Sequence, residues 1–145
     1  MKKKIFVIVV FCFLIALSVY FAIPQQAQST LTVNSKRITI ELADTPEKQV
    51  QGLSGRTMLA KNSGMFFTFS YSGNWGIWMK DMLFPIDILW LDSEFKVVGM
   101  KENAWPESYP EAFYPDALAT YVLEVNTGFI KENNIIMGSQ FNLNQ

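Results

Sequence analysis

The chain contains no histidine, and its one cysteine, Cys12, lies inside an apolar N-terminal run. Everything after that run therefore lacks both thiol and imidazole. This excludes Ser-His-Asp and Cys-His nucleophile systems, zinc sites of the usual nitrogen and sulfur type, and disulfide staples. Any catalysis would have to rest on carboxylates, lysine, tyrosine or an oxygen-bound metal; no cofactor is expected, and no metal-ligand set stands out in the sequence. Positive charge is also scarce: 12 Lys and Arg stand against 13 Asp and Glu, for a net charge of −1 and a pI near 5.4. Three of the lysines precede the apolar run, so the remainder is more acidic still. A nucleic-acid partner, which needs a basic face, is not expected. Internal repeats and low-complexity tracts are missing as well, and the 145 residues leave room for one domain beyond the N-terminal run.

That run begins after Met1-Lys2-Lys3-Lys4 and extends from Ile5 to Ile23, uncharged and interrupted by Ser18 and Tyr20. As a helix it covers about 28 Å, close to the hydrocarbon thickness of a bilayer. Lysines before it orient the N-terminus toward the cytoplasm and the rest of the chain outward. A cleavable signal has a shorter core and a small-x-small cleavage site, whereas here Gln25 and Pro24 spoil the approach to Ala27. The expectation is a single-pass anchor over residues 1–23 in the cell membrane, with an extracytoplasmic domain, secreted or periplasmic if the segment is cleaved. Residues 24–30 read as a polar linker and 31–145 as one β-rich domain, expected to be monomeric.

Within that domain, Arg37 to Ala43 alternates polar and apolar residues as a half-buried strand does. Asp44-Thr45-Pro46-Glu47 is a helix start, with a capping side chain, proline in the first turn and an acid where the helix dipole favours it; Gly52 ends the helix. Met65 to Phe69 is a strand, and Phe95 to Glu102 follows the turn at Asp92-Ser93-Glu94. The segment from Asn103 to Ala119 carries Pro106, Pro110 and Pro115 among Trp105, Tyr109, Phe113 and Tyr114, and reads as a long irregular loop. Its aromatics either cap an open end of the core or form a docking patch. Thr120 to Asn126 is a strand, Asn126 is placed to cap a second short helix through Lys131, and a last short strand falls near Gln140 to Leu143. These elements describe a mainly β fold, a small β-sandwich or barrel with two short helices, preceded by the transmembrane helix.

The stretch Trp75 to Asp92 organises the rest. Alternation places Trp78 and Lys80 on one face of a first strand; after Pro85, Asp87 shares a face with Leu89 and Leu91, opposite Ile86, Ile88 and Trp90. A strand apolar on both faces is covered on both, so Asp87 is expected in a packed or pocketed interior. A buried carboxylate needs a partner, and Lys80 is the nearest cation in sequence. If the two strands form a hairpin across Pro85, Lys80 and Asp87 approach one another, either as a structural ion pair or as part of a pocket.

Glu41-Leu42-Ala43-Asp44-Thr45-Pro46-Glu47, Gly52-Leu53 with Arg56, Gly64-Met65-Phe66-Phe67, Trp78-Met79-Lys80 with Pro85-Ile86-Asp87-Ile88, and Tyr121 to Asn126 with Gly128 stand in an order and spacing that resembles the family catalogued as domain of unknown function 192. The likeness covers nearly the whole outer domain. It implies a small all-β fold, often exported or anchored, and assigns no reaction. Lys80-Asp81-Met82 departs from the Lys-Asn-Thr that members often carry, adding a negative charge beside the candidate site, and the cysteines some members place in the long loop are missing. The resemblance matches Arg56, Trp78, Lys80, Asp87 and Glu124 to motif positions. Cations facing acids beside an aromatic suit a pocket for a small ligand, a sugar or a carboxylated metabolite stacked on Trp78. Two alternatives stand beside it: a carboxylate-dependent hydrolase using Asp87 and Glu124, and a partner-binding module at the cell envelope. An enzyme is the less expected outcome.

Overall fold

A computed structural model describes residues 29–144. The expected anchor, and the linker as far as Gln28, lie outside the described residues. Among the described residues the chain runs β1 (Thr30–Val33), β2 (Lys36–Ala43), α1 (Pro46–Gln51), β3 (Ser63–Gly73), β4 (Ile77–Trp78), β5 (Ile86–Leu91), β6 (Val97–Ala104), β7 (Ala112–Phe113), β8 (Ala119–Asn126), α2 (Phe129–Glu132) and β9 (Asn142–Asn144). Seven strands form one sheet in the order β6-β5-β8-β3-β2-β1-β9, and β4 with β7 forms a separate two-stranded ribbon. The sheet curls into a half-barrel; it is not split into the two packed layers of a sandwich. Its two edges approach where Lys96 bridges Gln140 and the Phe141 N–H donates to the Phe95 carbonyl at 3.0 Å.

Local chemistry explains the first half. In β2 the alternation buries Ile38 and Ile40, and β1 pairs with it across the turn at Asn34 and Ser35, both of which take positive φ. The sheet takes in Thr30, opposite Thr39, at the end of the expected linker. Thr45 caps α1 by accepting the Lys48 N–H at 3.4 Å, Pro46 opens the helix, and Gly52 closes it at φ 50. The helix then returns the chain to β3, which lies parallel to β2, so α1 serves as a crossover helix.

Both faces of the sheet are covered. The inner face holds Phe66, Leu89, Leu91, Leu123 and Val125 with Phe129, Ile130 and Phe141. The outer face holds Met65, Phe67, Ile86, Ile88, Trp90 and Val122, under Leu53, Ile77, Met79 and Met82. All six residues of β5 are buried, as its two-sided apolar pattern requires. Removing one of its large side chains, as in Trp90→Ala, would cost about 3–5 kcal/mol.

Three local expectations are corrected. No hairpin forms across Pro85: β4 pairs with β7, while β5 pairs with β6 and β8. Only two residues of the first half are extended, and Met79 to Pro85 forms turns that carry the chain from the ribbon into the sheet. The segment after Asn103 is also more ordered than an irregular loop: a 3-10 turn at Pro106–Ser108 precedes β7, and Phe113 packs against the outer core. Gly76 allows this closure, because a Cβ there would sit 2.5 Å from the Tyr114 ring. Finally, α2 is capped at Gly128, with φ 85, and not at Asn126, whose side-chain amide donates to the Ala60 carbonyl at 3.1 Å.

Candidate ligand-binding site

Asp87 is fully buried, as its strand predicts, but its partners are backbone amides. Between Ile86 and Ile88 the pairing with β6 shifts register, leaving Asn103 at positive φ with a free N–H. Asp87 Oδ1 accepts that N–H at 3.0 Å, and Oδ2 accepts the Ile130 N–H at the start of α2, also at 3.0 Å. One carboxylate thus ties a bulge and a helix start to the middle of the sheet. Lys80 takes no part: it is exposed, with its ammonium 5.9 Å from the centroid of the Trp78 ring. The expected Lys80–Asp87 approach is therefore not made, because the hairpin that would bring them together does not exist.

Register separates the two acids as well. Asp87 lies opposite Val125 and Glu124 opposite Ile88, so Asp87 points to the inner face and Glu124 to the outer one. Carboxylates on opposite faces of one sheet cannot flank one scissile bond, and the paired-acid hydrolase has no site here.

Glu124 is the unusual group. It is 5% exposed, sits among Met65, Phe67 and Ile88, and its Oε2 is buried without a hydrogen-bond partner. Burial pushes its carboxyl up to about 8, against the pull of the nearby Arg56 guanidinium. Arg56 itself is turned outward and engages Glu41 through two parallel bonds of 2.8 Å. That bond holds Glu41 below the usual carboxylate range and raises Arg56 further.

A small chamber of about 60 Å³ reaches Glu124 from outside, walled by Leu53, Phe67, Ile77 and Met82. In front of it lies an open groove of about 540 Å³ containing Glu47, Trp78, Lys80 and Asp81. Chamber and groove share Val50, Gln51, Ser54 and Trp78, so the two adjoin across these residues. The Trp78 ring is half exposed, and the Tyr109 ring meets it edge-on at 5.9 Å. The groove is held open by backbone ties: Ser54 Oγ donates to the Lys80 carbonyl at 2.7 Å and the Gly55 N–H to the Asp81 carbonyl at 2.8 Å. Of the five residues matched by motif, Trp78, Lys80 and Glu124 thus belong to one place. Arg56 reaches it through its charge alone, and Asp87 is scaffold. Gln51, Ser54 and Tyr109 were not legible as site residues, since contacts across distant segments bring them there.

A curled mixed sheet with a buried acid beneath a crossover helix defines a small β-domain class with a one-sided groove. The chain belongs to the family of domain of unknown function 192 (DUF192, Uncharacterized ACR), whose profile spans residues 29–143. It is similar to a candidate transcription regulator from Sinorhizobium meliloti 1021, at 30% identity and a TM-score of 0.73 over 79% of this chain and 91% of that one. It is also similar to a protein of unknown function from Novosphingobium aromaticivorans DSM 12444, at 28% identity and a TM-score of 0.70 over 82% and 89% of the two chains. No protein of curated function matches the chain.

Proposed function

We propose that this domain is a small-ligand-binding module, held at the outer side of the cell membrane by its N-terminal segment, and that it takes a sugar in the Trp78 groove. The observation that carries the reading is the unpartnered buried oxygen of Glu124 at the inner end of a chamber that backs onto the groove. A buried polar atom left unpaired is unfavourable by about 1–3 kcal/mol, and a ligand group that reaches it recovers that energy. The groove volume suits one or two sugar rings, Trp78 offers a flat face, and Glu47, Lys80 and Asp81 surround it with hydrogen-bonding groups. A carboxylated metabolite is the second reading, favoured by the exposed ammonium of Lys80, which stands over the Trp78 ring at the rim. Its carboxylate would stay outside the chamber, because the apolar wall there disfavours a charge without a cation beside it. A nucleic-acid partner is no part of the proposal, given the net charge of −1.

Thermal melts of the full-length chain against panels of neutral sugars and of carboxylated metabolites test this. At least one sugar should raise the melting temperature of the wild type and fail to raise that of Trp78→Ala. If nothing in either panel shifts the melt, or the variant responds like the wild type, the groove is not the site.

A further inference from the structure

We infer that the chamber behind Trp78 is a subsite for an exocyclic hydroxymethyl group, which makes hexopyranosides with a free primary hydroxyl the preferred ligands and Glu124 the residue that selects them. This rests on the sugar reading of the groove and deepens it.

Size is the first argument. A cavity needs about 10–15 Å³ of free space to admit one water, so about 60 Å³ has room for a short arm of a few heavy atoms and too little for a pyranose ring with its substituents. The ring must therefore remain in the groove on Trp78 while a short arm enters. Polarity is the second. The amide and hydroxyl donors around the chamber already have acceptors: Gln49 Nε2 donates to the Thr68 carbonyl at 2.9 Å, Gln51 Nε2 to the Ser54 carbonyl at 2.9 Å, and Ser54 Oγ to the Lys80 carbonyl. Glu124 Oε2 has no partner, and the remaining wall is hydrocarbon and aromatic. An arm with one polar atom at its tip and a methylene behind it matches that wall, and a carbon bearing a hydroxyl is the smallest such arm. Exchange is balanced at the tip: the protonated carboxyl and the hydroxyl each offer one O–H and each can accept one. An ammonium or a carboxylate in the same place would bring an unmatched charge into a chamber of low polarity.

The test compares methyl pyranosides of glucose, galactose and mannose with their pentose counterparts, methyl xyloside, arabinoside and lyxoside, which lack the hydroxymethyl arm. Tryptophan fluorescence titrations of the full-length chain measure both. For at least one pair the hexoside should bind about 10-fold or more tightly, since a buried polar group left unmatched discriminates strongly. Glu124→Gln, which keeps a donor and an acceptor, should retain the preference; Glu124→Leu should bind both members of the pair alike. If each hexoside and its pentoside bind equally to the wild type, the inference fails and the sugar groove stands. If neither series binds, while other sugars do not shift the melt either, the reading of the groove fails as well.

Discussion

Glu124 gives the sharpest residue-scale consequence because its folded and unfolded environments differ so much. In the unfolded chain it titrates near 4.5, and in the folded one near 8. Between those values the unfolded state has released a proton that the folded state keeps. Stability therefore falls as pH rises through this window, and the group contributes no slope below or above it. At about 1.4 kcal/mol per unit, the change amounts to several kcal/mol. Glu41 acts with the opposite sign: its lowered value means stability is lost as pH falls below the ordinary carboxylate range, weakly, since the pair with Arg56 is substantially exposed. Denaturant unfolding of Glu124→Gln should show higher stability than the wild type at pH 8, near-equal stability at pH 4.5, and a flatter profile between. Equal profiles would mean that Glu124 is not held protonated by burial.

At the scale of elements, Asp87 and Lys80 separate cleanly. Asp87→Ala leaves the Ile130 amide unpaired in a buried place and the Asn103 amide unpaired in a half-buried one, and should cost about 2–5 kcal/mol, at roughly 1–3 for each donor left without its partner. Lys80→Met touches an exposed side chain and should stay within about 0.5 kcal/mol. Their double mutant should show the simple sum, because the two share no contact, and rescue by the second change would contradict the structure. Thr45→Ala should lower stability by about 1 kcal/mol through loss of the helix cap. The same contrast explains what the sequence made legible. Thr45, Pro46 and Gly52 act on neighbours within one turn, and the alternation from Arg37 to Ala43 is written along one strand, so both were readable. The partner of β4 is a two-residue strand beyond three prolines, and the parallel union of β2 with β3 depends on a crossover, so neither pairing leaves a local mark. Asp87 was correctly placed in the interior by its apolar neighbours, but its partners are main-chain amides brought in by a bulge and a helix start. Side-chain types carry no signal for such partners, whereas Lys80 is the nearest cation in sequence.

For the whole molecule, one sheet serves two cores, and the chain after α2 joins its edges through Phe141, which is fully buried. Unfolding should accordingly be a single cooperative transition, with Phe141→Ala shifting it by about 3–5 kcal/mol without adding a second step. The anchor proposed for residues 1–23 is checked by the mass of the membrane-extracted protein, which should retain its first residues; a mature N-terminus near Gln28 would show a cleaved signal. The central claim is that the groove ends on a buried, protonated acid that is free to meet a ligand. A carbon-13 NMR titration of the Glu124 side-chain carboxyl in the full-length chain tests it most directly. The predicted midpoint is about 8, moved when a bound sugar is added. A midpoint at the ordinary 4.5, unmoved by any sugar that binds, would contradict the account.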